Sequence, residues 1–374
     1  MNSDKNTSID KLFESFNTKS LSLKNKTVMA PMTRAFSPNY IPNKDVAAYY
    51  RRRAEGDVGL IITEGTFISH KAANGYENVP AIYGEAALAG WKLVVDEVHA
   101  AGGKIAPQLW HVGSVRKPGV GPDKEAPAYS PSGLYKPGAK NGVAMSQDDI
   151  NEVVASFAQA ALDAKNIGFD AIEVHGAHGY LVDQFFWEGT NERDDQYGGT
   201  LENRTRFGVE IVKAIRAAVG DDFTIIFRFS QWKQQDYSAK LCQTPAELAT
   251  FLGLLSDAGV DIFHASTRRF WVPEFEGSDL NLAGWTKKLT NKPVITVGNV
   301  GLDADFIGEG NADLSGTSNP TGIDELLVRL NNNEFDLVAV GRALLVDPQW
   351  VNKIKHKAIA DIKPFNKKSL TSLS

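Results

Sequence analysis

The sequence predicts an α/β protein built as a single (β/α)8 TIM barrel, and two observations carry this prediction. Eight short apolar runs recur along the 374 residues, and each is followed by a segment with helical periodicity. Apolar runs without polar alternation are typical of strands that are buried on both faces, as in parallel sheets. Eight such alternations favour one closed barrel over two domains, because barrels with insertions span ~200 to over 400 residues. We therefore expect one domain over residues 1–374.

The strands and several helix ends follow from local signals. Four helices have clear starts or stops: 85–101 ends before a glycine pair, 147–164 has one apolar stripe, Thr200 is a candidate N-cap, and Thr244 with Pro245 begins another helix. The predicted strands are 27–30, 60–63, 104–110, 171–174, 224–229, 261–264, 293–297 and 336–340.

Four segments fall outside this repeat. Residues 111–146, after the third strand, are rich in Pro, Gly and Lys and are expected to form a cap over the barrel mouth. A long loop, 266–283, follows the sixth strand, and long ordered excursions of this kind are usually functional. Residues 1–22 are expected to close the barrel bottom, and 365–374 are expected to form a flexible tail.

The composition excludes several classes of protein and several kinds of site. A formal net charge of −5 gives no electrostatic case for binding nucleic acid. No run approaches the ~20 apolar residues of a membrane span, and the polar first residues lack the apolar core of a signal peptide, so a cytoplasmic location is expected. The single cysteine, Cys242, excludes an internal disulfide framework, a four-cysteine zinc site and a cysteine-ligated iron–sulfur cluster.

In a barrel of this type the chemistry lies just after the C-terminal ends of the strands. Gly298 follows the seventh strand, and Gly341 and Arg342 follow the eighth, where such barrels commonly bind a phosphate. The alternative is that these glycines only relieve crowding in a strand-to-helix turn.

The fourth strand leads into three proton-active side chains, His175, His178 and Tyr180, separated by glycine and alanine. The two histidines could grip a carbonyl oxygen while Tyr180, whose unperturbed pKa is ~10, acts as an acid. They could instead be structural, or they could ligate a metal. No third ligand is evident nearby, and we predict no metal site.

With these residues identified, the chain resembles the old yellow enzyme family of flavin-dependent ene-reductases over nearly its whole length. The motifs that carry the resemblance are Val28-Met-Ala-Pro-Met-Thr-Arg34, Tyr50-Arg-Arg-Arg53, Gly59-Leu-Ile-Ile-Thr-Glu-Gly-Thr66, Gln108-Leu-Trp-His111, His175-Gly-Ala-His-Gly-Tyr180, Asp183-Gln-Phe185, Thr190-Asn191 and Tyr197-Gly-Gly-Thr-Leu-Glu-Asn-Arg204.

The resemblance implies a TIM barrel that binds FMN non-covalently and takes hydride from NADPH or NADH. Arg228 would place positive charge beside the flavin, which favours its anionic reduced form. The residues expected to bind FMN are Ala30, Pro31, Met32, Thr33, Gly65, Gln108, Arg228, Gly298, Asn299, Gly341 and Arg342.

The resemblance also implies the reaction. Hydride would pass from the flavin to the β-carbon of an α,β-unsaturated carbonyl or nitro compound, whose oxygen His175 and His178 would bind, and Tyr180 would protonate the α-carbon. Trp110, Phe270 and Trp271 would line the substrate pocket. The protein is expected to be a monomer or a homodimer. The rival hypotheses are a non-redox barrel enzyme acting on a phosphorylated substrate and a flavoprotein that binds without turnover.

Two departures from the family pattern bear on the site. Many members have Asn where this chain has His178, and both side chains can donate a hydrogen bond. The segment that follows the fifth strand, 230–237, is unlike that of the commonest members, and its Trp232 receives no predicted role.

Overall fold

A closed barrel of eight parallel strands forms the centre of the molecule, as a computed structural model describing residues 7–303 and 318–374 shows. Each strand pairs with the next along the chain, and the last pairs with the first, which confirms the predicted fold class. The barrel strands are Thr27–Met29 (β1), Leu60–Phe67 (β2), Ile105–Trp110 (β3), Ala171–His178 (β4), Thr224–Lys233 (β5), Ile262–Ser266 (β6), Val294–Val297 (β7) and Leu337–Val340 (β8).

Helices follow the strands and cover the outside of the barrel. In the described part of the chain they are Asp10–Phe13 (α1), Lys44–Glu55 (α2), Glu85–Ala100 (α3), Gln147–Ile167 (α4), Leu181–Phe186 (α5), Leu201–Val219 (α6), Pro245–Ala258 (α7), Leu282–Thr290 (α8), Asp324–Asn331 (α9), Arg342–Val346 (α10) and Trp350–Lys355 (α11). None of the helices in these ranges is both long enough and apolar enough to cross a membrane.

The helix ends that the sequence predicts are confirmed by their caps. The Thr200 side chain accepts from Asn203 N at the start of α6, and Thr244 accepts from Glu247 N ahead of α7. A side-chain acceptor satisfies one of the backbone N–H groups that every helix start leaves unpaired. Helix α7 ends at Gly259, whose left-handed backbone (φ 119°) suits glycine.

The N-terminal segment lies at the end of the barrel where the strands begin. Two short strands, Phe16–Asn17 and Ser22–Leu23, pair antiparallel, and Ser20 Oγ lies 2.7 Å from Thr224 Oγ1 at the start of β5. Leu21 and Leu23 are buried in one apolar cluster with the barrel interior. This packing supports the proposal that residues 1–22 close the barrel bottom, of which residues 1–6 lie outside the described residues.

Two long connections lie on the C-terminal side of the strands. Between β3 and α4 the chain forms a turn of 3-10 helix, Gly113–Val115, and four short strands, and Tyr135 from this segment reaches the barrel mouth. The loop after β6 runs over residues 267–281.

The tail over 365–374, predicted to be flexible, is hydrogen-bonded to two arginine side chains from other parts of the chain. Arg34 Nη2 donates to Ser372 O over 2.6 Å, and Arg52 Nη2 donates to Leu373 O over 2.7 Å. Arg34 is buried, and a buried guanidinium requires acceptors, which the carbonyl groups of the tail supply. The polar composition of the tail carries no sign of these partners, because they lie more than 300 residues away in the sequence.

Candidate active site

The C-terminal ends of the barrel strands surround a cavity with two adjoining parts of about 420 and 500 Å³. Both volumes are in the range of small-molecule and cofactor sites, ~300–1,000 Å³. The predicted site residues that line it are Ala30, Pro31, Met32, Thr33, Gly65, Gln108, Trp110, His175, His178, Tyr180, Arg228, Gly298, Asn299, Gly341 and Arg342.

Phe270 and Trp271, predicted as pocket walls, are not among the residues that line this cavity. Phe270 N donates to Gly298 O over 3.1 Å, which holds the loop after β6 against the β7 turn, and its ring is buried in the apolar core. Trp271 lies in a separate surface depression with Asp324. A long loop at the correct end of a barrel need not fold over its mouth.

Strand register brings a buried charged layer to the floor of the cavity. His175 on β4 lies beside Arg228 on β5, and Arg228 lies beside His264 on β6. Glu173 is fully buried and accepts from Gln108 Nε2 over 2.8 Å and from His264 Nδ1 over 2.6 Å. The carboxylate therefore provides a counter-charge for the guanidinium, which burial alone would disfavour.

Ser266 links the guanidinium to one of the histidines. Arg228 Nη2 donates to Ser266 Oγ over 3.2 Å, and the same oxygen lies 2.8 Å from His178 Nε2. Because Arg228 only donates, its hydrogen bond leaves the serine hydroxyl hydrogen available to His178 Nε2. In that arrangement Nδ1 of His178 carries the proton and is the donor.

Both histidines are neutral in this environment. Burial, and next the charge of Arg228, lowers the pKa of His175 and of His178 well below the ordinary value. A neutral imidazole has one N–H donor and one acceptor nitrogen, so each ring can donate one hydrogen bond to a ligand oxygen.

A strained turn at the end of β4 orients these side chains. His178 has φ 65° and Gly179 has φ 77°, so two successive residues adopt the left-handed conformation. Among non-glycine residues this conformation is enriched in Asn, Asp and His. A histidine therefore suits this turn and also provides a hydrogen-bond donor.

Tyr180 follows directly and is only 7% exposed. Burial, more than any neighbouring group, raises the pKa of Tyr180 well above its ordinary value, so the phenol keeps its proton at neutral pH. Its ring packs edge-on against Trp110, with ring centroids 5.0 Å apart, and its hydroxyl lies 3.5 Å from that of Tyr76.

The opposite end of the cavity is built from glycine, one amide and one guanidinium. Arg342 Nη2 donates to Asn299 Oδ1 over 2.6 Å. A Cβ at Gly298, where φ is 150°, would lie 2.6 Å from Thr267 Oγ1, so only glycine fits the turn. Exposed backbone N–H groups next to a guanidinium form a suitable site for a phosphate.

The residues present fit FMN. The Nε atom of Arg228 and the Nδ1 atom of His175 are buried in the cavity floor without a hydrogen-bond partner among the described residues. Buried polar atoms of this kind normally have a partner, which a bound polar ring can supply. At Gly65 a Cβ would lie 2.5 Å from Trp110 Cε3, so glycine keeps this wall of the cavity flat.

Sequence reasoning missed several residues that the structure brings to this site, and five of them bear on its chemistry. These five are Glu173, Trp232, Gln234, His264 and Ser266. Alternation along β4 places Glu173 and His175 on the same face, so that carboxylate could have been found. The others are identified only by contacts across strands.

A TIM barrel with a phosphate-type site at β7 and β8, a buried arginine and a mouth containing His and Tyr is compatible with a flavin oxidoreductase. Residues 11–361 match the family model described as NADH:flavin oxidoreductase / NADH oxidase family. The chain belongs to this family, which confirms the predicted resemblance to the old yellow enzymes and argues against the non-redox alternative.

Three relatives illustrate the similarity. The chain is 31% identical to morphinone reductase, solved in complex with tetrahydroNAD, with a TM-score of 0.80 and coverage of 96% of this chain and 93% of that one. It is 32% identical to an NADPH dehydrogenase of Clostridium acetobutylicum over 96% of this chain and 99% of the relative. A putative 12-oxophytodienoate reductase 2 of Oryza sativa subsp. japonica is 42% identical, and the match spans 54% of each chain, about half the length of that relative.

Proposed function

We propose that the protein is an FMN-dependent ene-reductase that reduces alkenes conjugated to a carbonyl or nitro group at the expense of NADPH or NADH. The observation that carries this proposal is the cluster of two neutral histidines and one protonated tyrosine beside a buried arginine at the barrel mouth. The names of the relatives, reductases and dehydrogenases, support the same reaction class.

The cofactor would lie along the cavity from β1 to β8. The phosphate would bind at Gly298, Asn299, Gly341 and Arg342, and Arg228 would face the ring system. Bound FMN would supply the redox chemistry, which is hydride transfer from the nicotinamide to the alkene β-carbon. Closure of the cavity floor by buried side chains keeps water away from this step.

His175 and His178 would bind the carbonyl or nitro oxygen of the substrate. Negative charge builds on that oxygen as hydride arrives at the β-carbon, and fixed donors stabilise it more strongly in the transition state than in the ground state. The neutral state of both rings suits this role, because each keeps one N–H donor and no proton is lost to the oxygen.

Tyr180 would complete the reduction by giving its proton to the α-carbon. The tyrosine O–H bond breaks as the new C–H bond forms, and the phenolate then recovers a proton from solvent. The raised pKa of Tyr180 keeps the donor loaded at neutral pH. General acid catalysis of this kind contributes ~10²–10⁴ to a rate.

The experiment that tests this proposal separates the two half-reactions in stopped flow. The purified protein should be yellow, and NADPH or NADH should bleach it. Under argon, 2-cyclohexenone should restore the colour. Tyr180→Phe should slow this second step by ~10²-fold or more while the bleaching rate stays within about twofold of wild type. A colourless protein that does not bind added FMN, or equal loss of both steps in Tyr180→Phe, would contradict the proposal.

A further inference from the structure

The chain that ends β5 lies directly along the turn that carries His178 and Tyr180. We call residues 230–235 the β5 extension. His178 N donates to Ser230 Oγ over 3.0 Å, and Gln234 N donates to His178 O over 3.3 Å. Two backbone groups of the same left-handed residue are therefore satisfied by this one segment.

A buried ion pair fixes the β5 extension in this register. Lys233 Nζ lies 2.6 Å from Asp183 Oδ1, and both side chains are 0% exposed. The second carboxylate oxygen of Asp183 accepts from Gly179 N over 2.7 Å. Because one carboxylate bonds both the extension and the turn between the two reactive side chains, the two segments cannot shift independently.

Trp232 contacts His178, one of the three proposed substrate donors. Its indole ring stacks on the imidazole of His178, with centroids 4.4 Å apart and planes 21° apart. The indole Nε1 donates to Ser266 O over 3.2 Å, and Ser266 Oγ lies 2.8 Å from His178 Nε2. The stack fixes the plane of the His178 imidazole. The hydrogen bond with Ser266 fixes which ring nitrogen, Nε2, faces the serine hydroxyl.

Gln234 contacts Tyr180, the proposed proton donor. Its Nε2 donates to the hydroxyl oxygen of Tyr180 over 3.2 Å. An amide nitrogen can only donate, so Tyr180 uses a lone pair here and keeps its own proton for another acceptor. The same amide stays bonded to the oxygen when it becomes a phenolate, and hydrogen bonds to charged groups are the stronger ones.

We propose that the β5 extension positions two of the three substrate donors separately, with Trp232 holding His178 for oxygen binding and Gln234 holding Tyr180 for proton transfer. This inference rests on the proposed function. Trp232 and Gln234 act here through another residue, so both are positioning residues.

The first test measures oxygen binding in a double-mutant cycle between Trp232 and His178. The probe is p-hydroxybenzaldehyde, whose phenolate resembles the charged oxygen, titrated into the oxidised FMN-loaded protein. Trp232→Ala should weaken binding roughly tenfold, yet should change it less than twofold when His178→Ala is already present. Trp232→Phe, which keeps a stacking ring, should retain most of the affinity. If the two losses simply add, Trp232 is only a pocket wall and this part of the inference is wrong.

The second test measures proton transfer in a cycle between Gln234 and Tyr180. Gln234→Leu should slow flavin reoxidation by 2-cyclohexenone about tenfold, and should have little further effect in a Tyr180→Phe background. Gln234→Glu provides a second test, through the pH dependence of the reoxidation rate. The protonated glutamic acid side chain can still donate a hydrogen bond to Tyr180, whereas the ionised carboxylate cannot. The reoxidation rate should therefore fall as this side chain ionises. A pH profile identical to that of wild type would overturn the assignment.

Crossed pairs serve as the controls. Trp232→Ala with Tyr180→Phe, and Gln234→Leu with His178→Ala, should show additive effects, because no side-chain hydrogen bond or ring contact joins either pair in the described part of the chain. FMN content and the midpoint of thermal unfolding show that each variant is folded. If His178→Ala and Tyr180→Phe are themselves without effect, the proposed function fails. If they act but every cycle is additive, only the present inference fails.

Discussion

The two ends of the cavity are built by different means. At β7 and β8 the site consists of glycine backbone with Asn299 and Arg342, and few side chains need to be oriented. At β4 to β6 it consists of buried titratable side chains that orient one another, with Arg228 and Glu173 at the centre. The first end can hold an anion with little dependence on its surroundings. The second end depends on every partner being present, because an unpaired buried polar group is costly.

The largest effect is expected where the reactive end is anchored. Lys233→Met leaves the buried carboxylate of Asp183 without its partner, and breaking a buried pair on one side costs about 3–5 kcal/mol. The free energy of unfolding, measured by urea denaturation, should fall by that amount. Adding Asp183→Asn, which keeps an acceptor for Gly179 N, should recover most of the loss.

A surface pair provides the matched control. Lys92 and Asp96 form an ion pair on α3 with half of each side chain exposed. Lys92→Met should change the free energy of unfolding by less than about 0.5 kcal/mol. A loss in Lys233→Met no larger than that in Lys92→Met would show that the β5 extension is not anchored by this pair.

An effect of similar free energy is expected at His175, where it appears in the rate of flavin reoxidation and not in protein stability. His175→Ala removes a hydrogen-bond donor aimed at the developing negative charge, and such a loss costs ~10²–10³ in rate. Flavin reoxidation by 2-cyclohexenone should slow accordingly, while the bound FMN per protein stays at the wild-type value. Loss of FMN from His175→Ala would mean that the two ends of the cavity are not separable.

Glu64, on the β2 wall, should make stability depend on pH. Burial raises the pKa of Glu64 to about 7, although it accepts from Arg34 N and Ala35 N. A carboxyl with a raised pKa in the folded state contributes stability that is present below pH 4.5 and is lost as pH rises through 7. One pKa unit corresponds to about 1.4 kcal/mol, so a rise in pKa from 4.5 to about 7 makes the loss of stability about 3 kcal/mol.

Glu64→Gln tests this, because glutamine stays neutral and still offers an oxygen to both N–H groups. Urea unfolding between pH 4.5 and 8 should show wild type losing stability relative to the variant as pH rises. A constant difference between the two proteins across this range would show that Glu64 does not titrate there.

The sequence predicts the barrel framework better than it predicts the side-chain contacts of the site, and the reason is physical. The barrel, its helix caps and the glycine turn at Gly298 follow from local patterns, since strand burial, capping and positive-φ turns favour particular residue types at adjacent positions. The network around Glu173 and the contacts of Trp232 and Gln234 depend on which residues face each other across strands. Register is a tertiary property, so motif spacing alone does not show it.

The contacts of the tail and of the loop after β6 could not be predicted from the sequence, for the same reason. Arg34 binds the tail across most of the chain, and Phe270 is held by the backbone of Gly298. Neither partner is near in sequence. Polar composition and loop length describe a segment by itself, whereas its order and direction are set by what it contacts.

The smallest effect is expected at the backbone-built end. Arg342→Ala would remove one charged donor from a phosphate that backbone N–H groups would also bind under the proposed function, so FMN affinity should fall only about 10–100-fold. Arg342→Lys keeps the charge but loses the planar fork, and its affinity should lie between the two. Fluorescence titration of the FMN-free protein measures both. Once FMN is saturating, the reoxidation rates of these variants should match wild type, because this end binds the cofactor and the other end reacts. A slower rate at saturation would mean that the guanidinium also sets the position of the ring.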